Sequence, residues 1–382
     1  MIKLDKCKWF DNHQTACCLM IDDLAPLVVS KDGKIGPYND WGYLMDSTES
    51  LHNYLDKWLF QKYPEIKGTI FLPLDSHNYI PQNMGYEIAT RDIDDKFINF
   101  LKSLQARFEF AFHGIKHLWY DDNYNIIFEY ENPGSDVIED SIRKVELFSN
   151  LSGIKFVGGK FPGYKYNDLS LSLIEALGSK WWVLDEKMSN RRHRHNKIRY
   201  MHYQDYNYIC IPSNITTAIY SQAPSVSFIK NIGRKLKNTF YASPNKYIQY
   251  LYNKGYPITI EEHYQNQRAD GIRQIINLYD DIKFLDDLFG YLRPLDIWYA
   301  SCSDIAHYYD TFHRTQITLK DDKMIIDYNG LWNTPLITLK VDKPILMHKE
   351  NGSYIKGWRK KDYWIYNITE SGEYYYSINN IN

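Results

Sequence analysis

At 382 residues the chain is too long for one small domain and long enough for a large one with an appendage. A net charge of −2 argues against nucleic acid or an anionic membrane as a general partner, and 44% apolar residues support a sizeable core. No apolar run approaches bilayer-spanning length, residues 1–14 hold no apolar signal core, and the five irregularly spaced cysteines (Cys7, Cys17, Cys18, Cys210 and Cys302) fit reduced, buried thiols better than a disulfide frame, so a cytoplasmic protein is expected.

In chain order, the first informative run is Ala16-Cys17-Cys18-Leu19-Met20-Ile21, which reads as a buried strand and stops at Asp22-Asp23. Two acids ending a core strand call for a cation, a hydrogen-bond network or water, because an unpaired buried carboxylate is costly. Simple capping of the next segment is the alternative. Residues 24–46 have no period and contain Pro26, Gly33, Gly36, Pro37 and Gly42. A long loop beside a site often forms its wall, which makes Asp40 and Trp41 the candidate substrate contacts, although Trp41 could equally plug the loop onto the core. Residues 51–63 carry a helical stripe, with Ser47 or Thr48 as the N-cap. Residues 68–74 read as a buried strand, 94–104 as an amphipathic helix and 108–112 as the next strand. That strand opens into His113-Gly114-Ile115-Lys116-His117. A spacing of four places both imidazoles on one side of a helical turn, where both reach one ion, and a surface pair is the alternative.

Residues 119–134 read as an acidic loop and 136–150 as a helix. A strand begins at 155–157 and runs into Gly158-Gly159-Lys160-Phe161-Pro162-Gly163-Tyr164. A helix at 167–177 and a strand at 180–184, ending in Asp185, follow. The basic residues 191–195 read as a solvated loop before a phosphate or lipid contact, and 230–237 as a short basic helix or a solvated face. Further strands fall at 208–212 and 256–260, the latter leading to Glu261-Glu262-His263, and at 298–300. Helices fall at 243–253, 270–289 and 303–311. Alternating strands and helices predict an α/β fold on a parallel sheet, open or closed, with active groups at the strands' carboxyl ends. Beyond His313 the pattern changes to short β runs at 316–319, 323–328, 335–341, 354–358, 363–368 and 374–378. The expected division is therefore 1–313 and a small all-β module at 314–382.

These motifs resemble those of the polysaccharide deacetylase family, carbohydrate esterase family 4 with the NodB-homology fold. Leu19-Met20-Ile21-Asp22-Asp23-Leu24 is similar to its Thr-Phe-Asp-Asp-Gly motif. His113 and His117 are similar to its histidine pair, and Lys160-Phe161-Pro162-Gly163-Tyr164 to its Arg-x-Pro-Pro-Tyr-Gly motif. Trp298-Tyr299-Ala300 with Asp304-Ile305-Ala306 looks like the close of its catalytic domain. The resemblance covers about Cys17 to Tyr309 and implies a distorted (β/α) barrel. It implies a divalent metal, zinc, held by Asp23, His113 and His117, with Asp22 as general base. Tyr164 would mark a backbone N–H facing the oxyanion. His263 would be the general acid, ahead of His195 and His202, and a surface histidine after an acidic turn is the alternative for His263. Lys160 replaces the family's Arg, with Asp185 as the acid that would position it or else an ordinary strand-end cap, and Leu24 replaces a Gly. The implied activity is metal-dependent removal of an N-acetyl or O-acetyl group from a saccharide or glycoconjugate, expected inside the cell on a precursor of a surface polysaccharide. Two alternatives are a hydrolase of another non-peptide C–N bond and a non-catalytic carbohydrate-binding protein that uses the β module.

Overall fold

The computed structural model describes residues 2–24, 28–29, 50–74, 89–90, 93–120, 125–184, 196–216, 244–263 and 277–378. Its centre is a ten-stranded sheet built on β1 (Thr15–Asp22), β2 (Gly68–Leu72), β3 (Phe108–Phe112), β4 (Gly158–Lys160), β5 (Trp181–Val183), β6 (Arg199–Tyr203), β7 (Tyr206–Ile211), β8 (Ile215–Thr216), β9 (Ile258–His263) and β10 (Ile297–Tyr299). The order across the sheet is β6-β7-β5-β4-β3-β2-β1-β9-β8, with β10 on the amino half of β1. Every pair in it is parallel except β6–β7. The parallel α/β expectation is met.

The sheet is strongly curled. Seven inter-strand steps separate β7 from β8 in this order, which would span about 34 Å in a flat sheet. Yet residues 212–214 alone connect them, and the four Cα steps from Ile211 to Ile215 reach at most about 14 Å. No ladder joins β8 to β6 or β7 among the described residues.

The strand composition explains the arrangement. β1 is buried at every position, as a strand covered on both faces must be. Its residues alternate between two cores. Cys17, Leu19 and Ile21 pack among the helices 51–60, 95–104, 135–152, 168–176 and 278–292. Ala16, Cys18 and Met20 face Phe71, Ala111, Trp181, Val183, Ile209 and Ile211 within the curve, where Cys302, Ile305 and Tyr308 of the helix Cys302–Arg314 join them. Gly159 is required by this packing, since a Cβ there would stand 2.7 Å from the Trp182 ring and 2.8 Å from the Phe112 carbonyl oxygen.

Most helices fall where their apolar stripes predict. The segment 51–63 narrows to Leu51–Leu55 followed by a π turn at Asp56–Phe60, and the caps proposed at Ser47 and Thr48 lie outside the described residues. Residues 264–276 are likewise outside, and the helix expected at 270–289 is seen over Leu278–Leu292. The loop expected at 119–134 contains a hairpin, Leu118–Tyr120 with Ile126–Phe128. The basic stretches 191–195 and 230–237 are not among the described residues. The five cysteines are buried thiols with no disulfide among them.

The chain's last part forms two antiparallel sheets. One orders the strands 315–320, 323–328, 372–378, 345–349 and 354–355. The other orders 4–6, 337–341, 363–368 and 358–360. Met324, Ile326 and Tyr374 of the first share one apolar cluster with Leu339, Val341 and Tyr366 of the second. The strand Ile345–Lys349, between Asp342-Lys343-Pro344 and Asn351-Gly352, is an addition to the expected β runs. Leu4–Lys6 pairs with Leu339–Val341, so the chain's first strand lies in this part. Asp310 ties the two regions, accepting hydrogen bonds from Tyr200 Oη (2.9 Å), the Leu331 N–H (2.6 Å) and Tyr328 Oη.

Phe112 is fully buried, with the rings of Tyr130, Phe156 and Trp182 at 6.2, 6.2 and 6.0 Å. Phe112→Ala is expected to lower unfolding free energy by about 3–5 kcal/mol. Urea denaturation followed by far-UV circular dichroism checks this, and a loss under about 1 kcal/mol would contradict the packing described.

Candidate active site

Successive strand residues point to opposite faces, so a period of two selects the side chains that converge. Asp22 shares the inner face of β1 with Cys18 and Met20. His113 continues the face of Ala111, and Lys160 pairs with the inward Val183. In β9, Ile258 and Ile260 face the outer core, which leaves Glu261 and His263 on the inner face. Asp23 would point away from Asp22, but its φ of 74° turns it back. Asp is among the residues that tolerate this left-handed conformation. The next residue, Leu24, is fully buried in the outer core, which accounts for an apolar side chain where the family has Gly.

The histidine pair is not on a helical turn, contrary to the spacing argument. Gly114 and His117 have φ of 89° and 67°, which no right-handed turn permits. A loop achieves the same convergence. His113 Nε2 and His117 Nε2 stand 3.4 and 3.2 Å from Asp23 Oδ1, and one donor atom from each residue falls within 4.8 Å of the others.

These three residues fit a tetrahedral divalent ion. Donors bonded at about 2.0–2.1 Å in a tetrahedron lie about 3.3 Å apart, close to the spacing found. His113 Nδ1 lies 3.0 Å from the Lys160 carbonyl oxygen, which fixes that nitrogen as the N–H donor and leaves the Nε2 lone pair for an ion. Burial pushes His117 down to about 3, so it is neutral at pH 7; burial would lower His113 as well, but Asp22 and Asp23 outweigh it and raise His113 above its ordinary value. Burial would raise Asp23, but His117 and His113 outweigh it and hold the carboxyl well below its usual range. A cation needs both imidazoles neutral and the carboxylate ionised, so an ion entering here would take the place of the proton that Asp22 and Asp23 favour on His113.

Beside this triad lies a second group. The Lys160 ammonium donates to Asp22 Oδ2 and lies 3.2 Å from Glu261 Oε1. Tyr164 Oη and Ser213 Oγ both donate to Glu261 Oε2. Lys160 is 1% exposed; burial would lower it, but Asp22 and Glu261 outweigh burial and raise it well above its ordinary value. Glu261 is held down because Lys160 outweighs the effect of burial. His263 Nε2 stands 3.5 Å from Asp22 Oδ2. Asp22, Glu261 and His263 also have ligand-like spacing, but the Lys160 ammonium already lies between the two carboxylates. With both histidines in the neutral, ligating form, the three carboxylates of these described residues face one fixed cation, an excess of two negative charges that a divalent ion would neutralise. Asp22 Oδ1 is buried without a hydrogen-bond partner among the described residues.

The structure therefore brings together Asp22, Asp23, His113, His117, Lys160, Tyr164 and His263. Asp40, Trp41, Asp185 and His195 lie outside the described residues. The acid seen beside Lys160 is Glu261. His202 is exposed on β6, which pairs only with β7 among the described residues, and takes no part in the cluster. His263 ends a strand rather than following an acidic turn. The oxyanion role expected near Tyr164 needs correction, because the Tyr164 and Lys165 N–H groups donate to the carbonyls of Phe161 and Pro162 and close a 3₁₀ turn. Tyr164 contributes its hydroxyl instead. Glu261 was within reach of sequence reasoning, since it stands two residues before His263 in a strand. Ser213 and Glu129 had no such signal.

No family model matches the sequence, and no curated protein does. Among solved structures, the chain is similar to one from Mycobacterium smegmatis described as a polysaccharide deacetylase, at 14% identity and a TM-score of 0.46, over 83% of this chain and 97% of that one. It is also similar to a family 4 carbohydrate esterase of Streptomyces lividans in complex with acetate, at 11% identity and a TM-score of 0.34, over 75% of this chain and 91% of that one. A CE4 family pseudoenzyme of Bacillus anthracis matches at 11% identity and a TM-score of 0.35, over 76% of this chain and 65% of that one. None of these distant likenesses fixes an activity.

Proposed function

We propose that the chain is a divergent carbohydrate esterase family 4 hydrolase that removes an acetyl group, N-linked or O-linked, from a saccharide. One observation carries the reading: Asp23, His113 and His117 present three donors at ion-binding spacing directly beside the buried carboxylate of Asp22. The curled sheet is read as a distorted barrel with this site at its carboxyl rim. The division at 313/314 is kept, with the strand Leu4–Lys6 assigned to the β module.

Asp23, His113 and His117 would hold a divalent ion, zinc by the donor set. When bound, such an ion lowers the pKa of water and polarises an acyl carbonyl. Asp22 takes the proton from the attacking water through Oδ1, while Lys160 holds Oδ2 and keeps the carboxylate oriented. Glu261, itself fixed by Tyr164 and Ser213, keeps Lys160 in place. His263, partly exposed at the strand end, gives a proton to the departing amine or alcohol. A substrate on an intracellular biosynthetic precursor, with the protein in the cytoplasm, completes the proposal.

The test is metal analysis of the purified protein with an acetate-release screen on acetylated saccharides, run on wild type and on His113→Ala. The expected result is a stoichiometric divalent ion and acetate release in wild type, both lost in the variant. A wild type that binds no divalent ion tightly, or a variant that still releases acetate, would overturn it.

A further inference from the structure

Resting on that reading of the site, we propose that Glu129 is a positioning residue that sets metal affinity by fixing the loop of the ligand His117. Glu129 follows the hairpin strand Ile126–Phe128 and is 4% exposed. Its Oε2 accepts hydrogen bonds from three consecutive main-chain N–H groups, those of Ile115 (2.8 Å), Lys116 (3.1 Å) and His117 (3.1 Å). Successive N–H groups converging on one oxygen form an anion-binding nest. The Glu129 N–H in turn donates to the His117 carbonyl oxygen at 3.2 Å. Both main-chain polar groups of a ligand residue are thus held by one residue, although His117 sits at a φ of 67° that a histidine adopts at a cost.

Gly114 is matched to this carboxylate. A Cβ at position 114 would lie 2.6 Å from Glu129 Oε2 and 3.0 Å from Pro162 Cγ, and φ there is 89°. Any larger residue would displace the carboxylate from its nest. The anchor itself is rigid, because the neighbouring Tyr130 is fully buried and its hydroxyl lies 2.8 Å from Ser141 Oγ in the helix Ser135–Ser152. Glu129 holds the main chain of a ligand rather than its ring; outer partners that orient an ion's ligands commonly set its affinity by a factor of about 10–100.

The experiment measures zinc affinity by competition with a chromogenic chelator, at a temperature where circular dichroism shows every variant folded. Glu129→Gln removes the negative charge from the nest, leaves one oxygen to accept from it and turns the amide nitrogen toward the Lys116 N–H, and is expected to weaken zinc binding by about 10–100-fold. In a His117→Ala background the same change is expected to cause no further loss, because Glu129 acts through His117. Should Glu129→Gln fail to fold, Glu129→Asp, which keeps the charge but withdraws the oxygens, is read the same way. Unchanged zinc affinity with a lowered melting temperature would overturn the inference, as would an additional loss in the His117→Ala background. If wild type binds zinc and Asp23→Ala abolishes it while Glu129→Gln binds as wild type, this inference alone falls. If wild type binds none, the reading of the site falls with it.

Discussion

Lys160→Met is expected to destabilise the protein by about 3–5 kcal/mol at pH 7, the usual cost of removing one partner from a buried ion pair. The side chains are nearly isosteric, so the loss reports charge rather than volume. It would leave Asp22 and Glu261 buried together without the ammonium that lies between them. Lys160→Arg is not a neutral control, since the planar guanidinium must find a new geometry in the space of a point charge. The pH dependence distinguishes this mechanism from lost packing. In wild type the Lys160 value is raised, so its contribution is fully present below about 10.5 and is lost as pH rises beyond that. Glu261 is held down in wild type, so its contribution is present above about 4.5 and is lost as pH falls through its lowered value. Without Lys160 the carboxylates become easier to protonate, so acid relieves the variant while it weakens wild type. Urea midpoints at pH 4, 7 and 9 should show the gap widest at pH 7 and 9 and narrowest at pH 4. A gap independent of pH would assign the loss to packing and remove Lys160 from the electrostatics of the site. Adding Glu261→Gln to Lys160→Met should recover part of the stability at pH 7.

The strand ends were legible because burial leaves a one-dimensional trace. A run such as Ala16–Ile21 that stops at two acids, or Phe108–Phe112 that stops at a histidine, states both the strand and its rim. Period-two alternation then places Asp22, His113, Lys160 and His263 on one face. What the sequence left open depends on partners remote in the chain. The hydrogen bonds of Ser213 and Glu129 are set by the tertiary fold, and nothing in their local pattern distinguishes them from surface polar residues. The histidine loop misled because a spacing of four reads as a helical turn, whereas the geometry rests on two left-handed residues and a carboxylate twelve positions downstream of His117. Glu261 lies just past the strand expected at 256–260, in a stretch for which an acidic turn is the alternative reading, whereas the strand runs on through His263. Glu261 is tolerated there only because Lys160, Tyr164 and Ser213 all contact its carboxylate. The pairing of Leu4–Lys6 with Leu339–Val341 joins the two ends of the chain, and no local signal carries a contact of that sequence separation.

Asp22→Asn is expected to lower kcat for acetate release by about 10²–10⁴-fold, the range for loss of a general base, with KM and zinc affinity changed only a few-fold. The substitution preserves shape and leaves Asp23, His113 and His117 intact, so the ion-binding set survives. It removes the proton-accepting capacity of an oxygen, Asp22 Oδ1, that is buried without another partner among the described residues. An amide keeps one carbonyl oxygen for the Lys160 ammonium, so Lys160 need not swing away. Asp23→Asn should behave differently, losing zinc and activity together, because its carboxylate lies against both histidines. The contrast between two adjacent acids is the decisive feature, since a general loss of folding would affect both measurements in both variants. If Asp22→Asn retains more than about a tenth of wild-type kcat, the proton goes elsewhere. His263, whose Nε2 stands 3.5 Å from Asp22 Oδ2, is then the next acceptor to test. If instead Asp22→Asn loses zinc as completely as Asp23→Asn, Asp22 belongs to the ligand set, and the base must be sought among the remaining carboxylates of the cluster, beginning with Glu261.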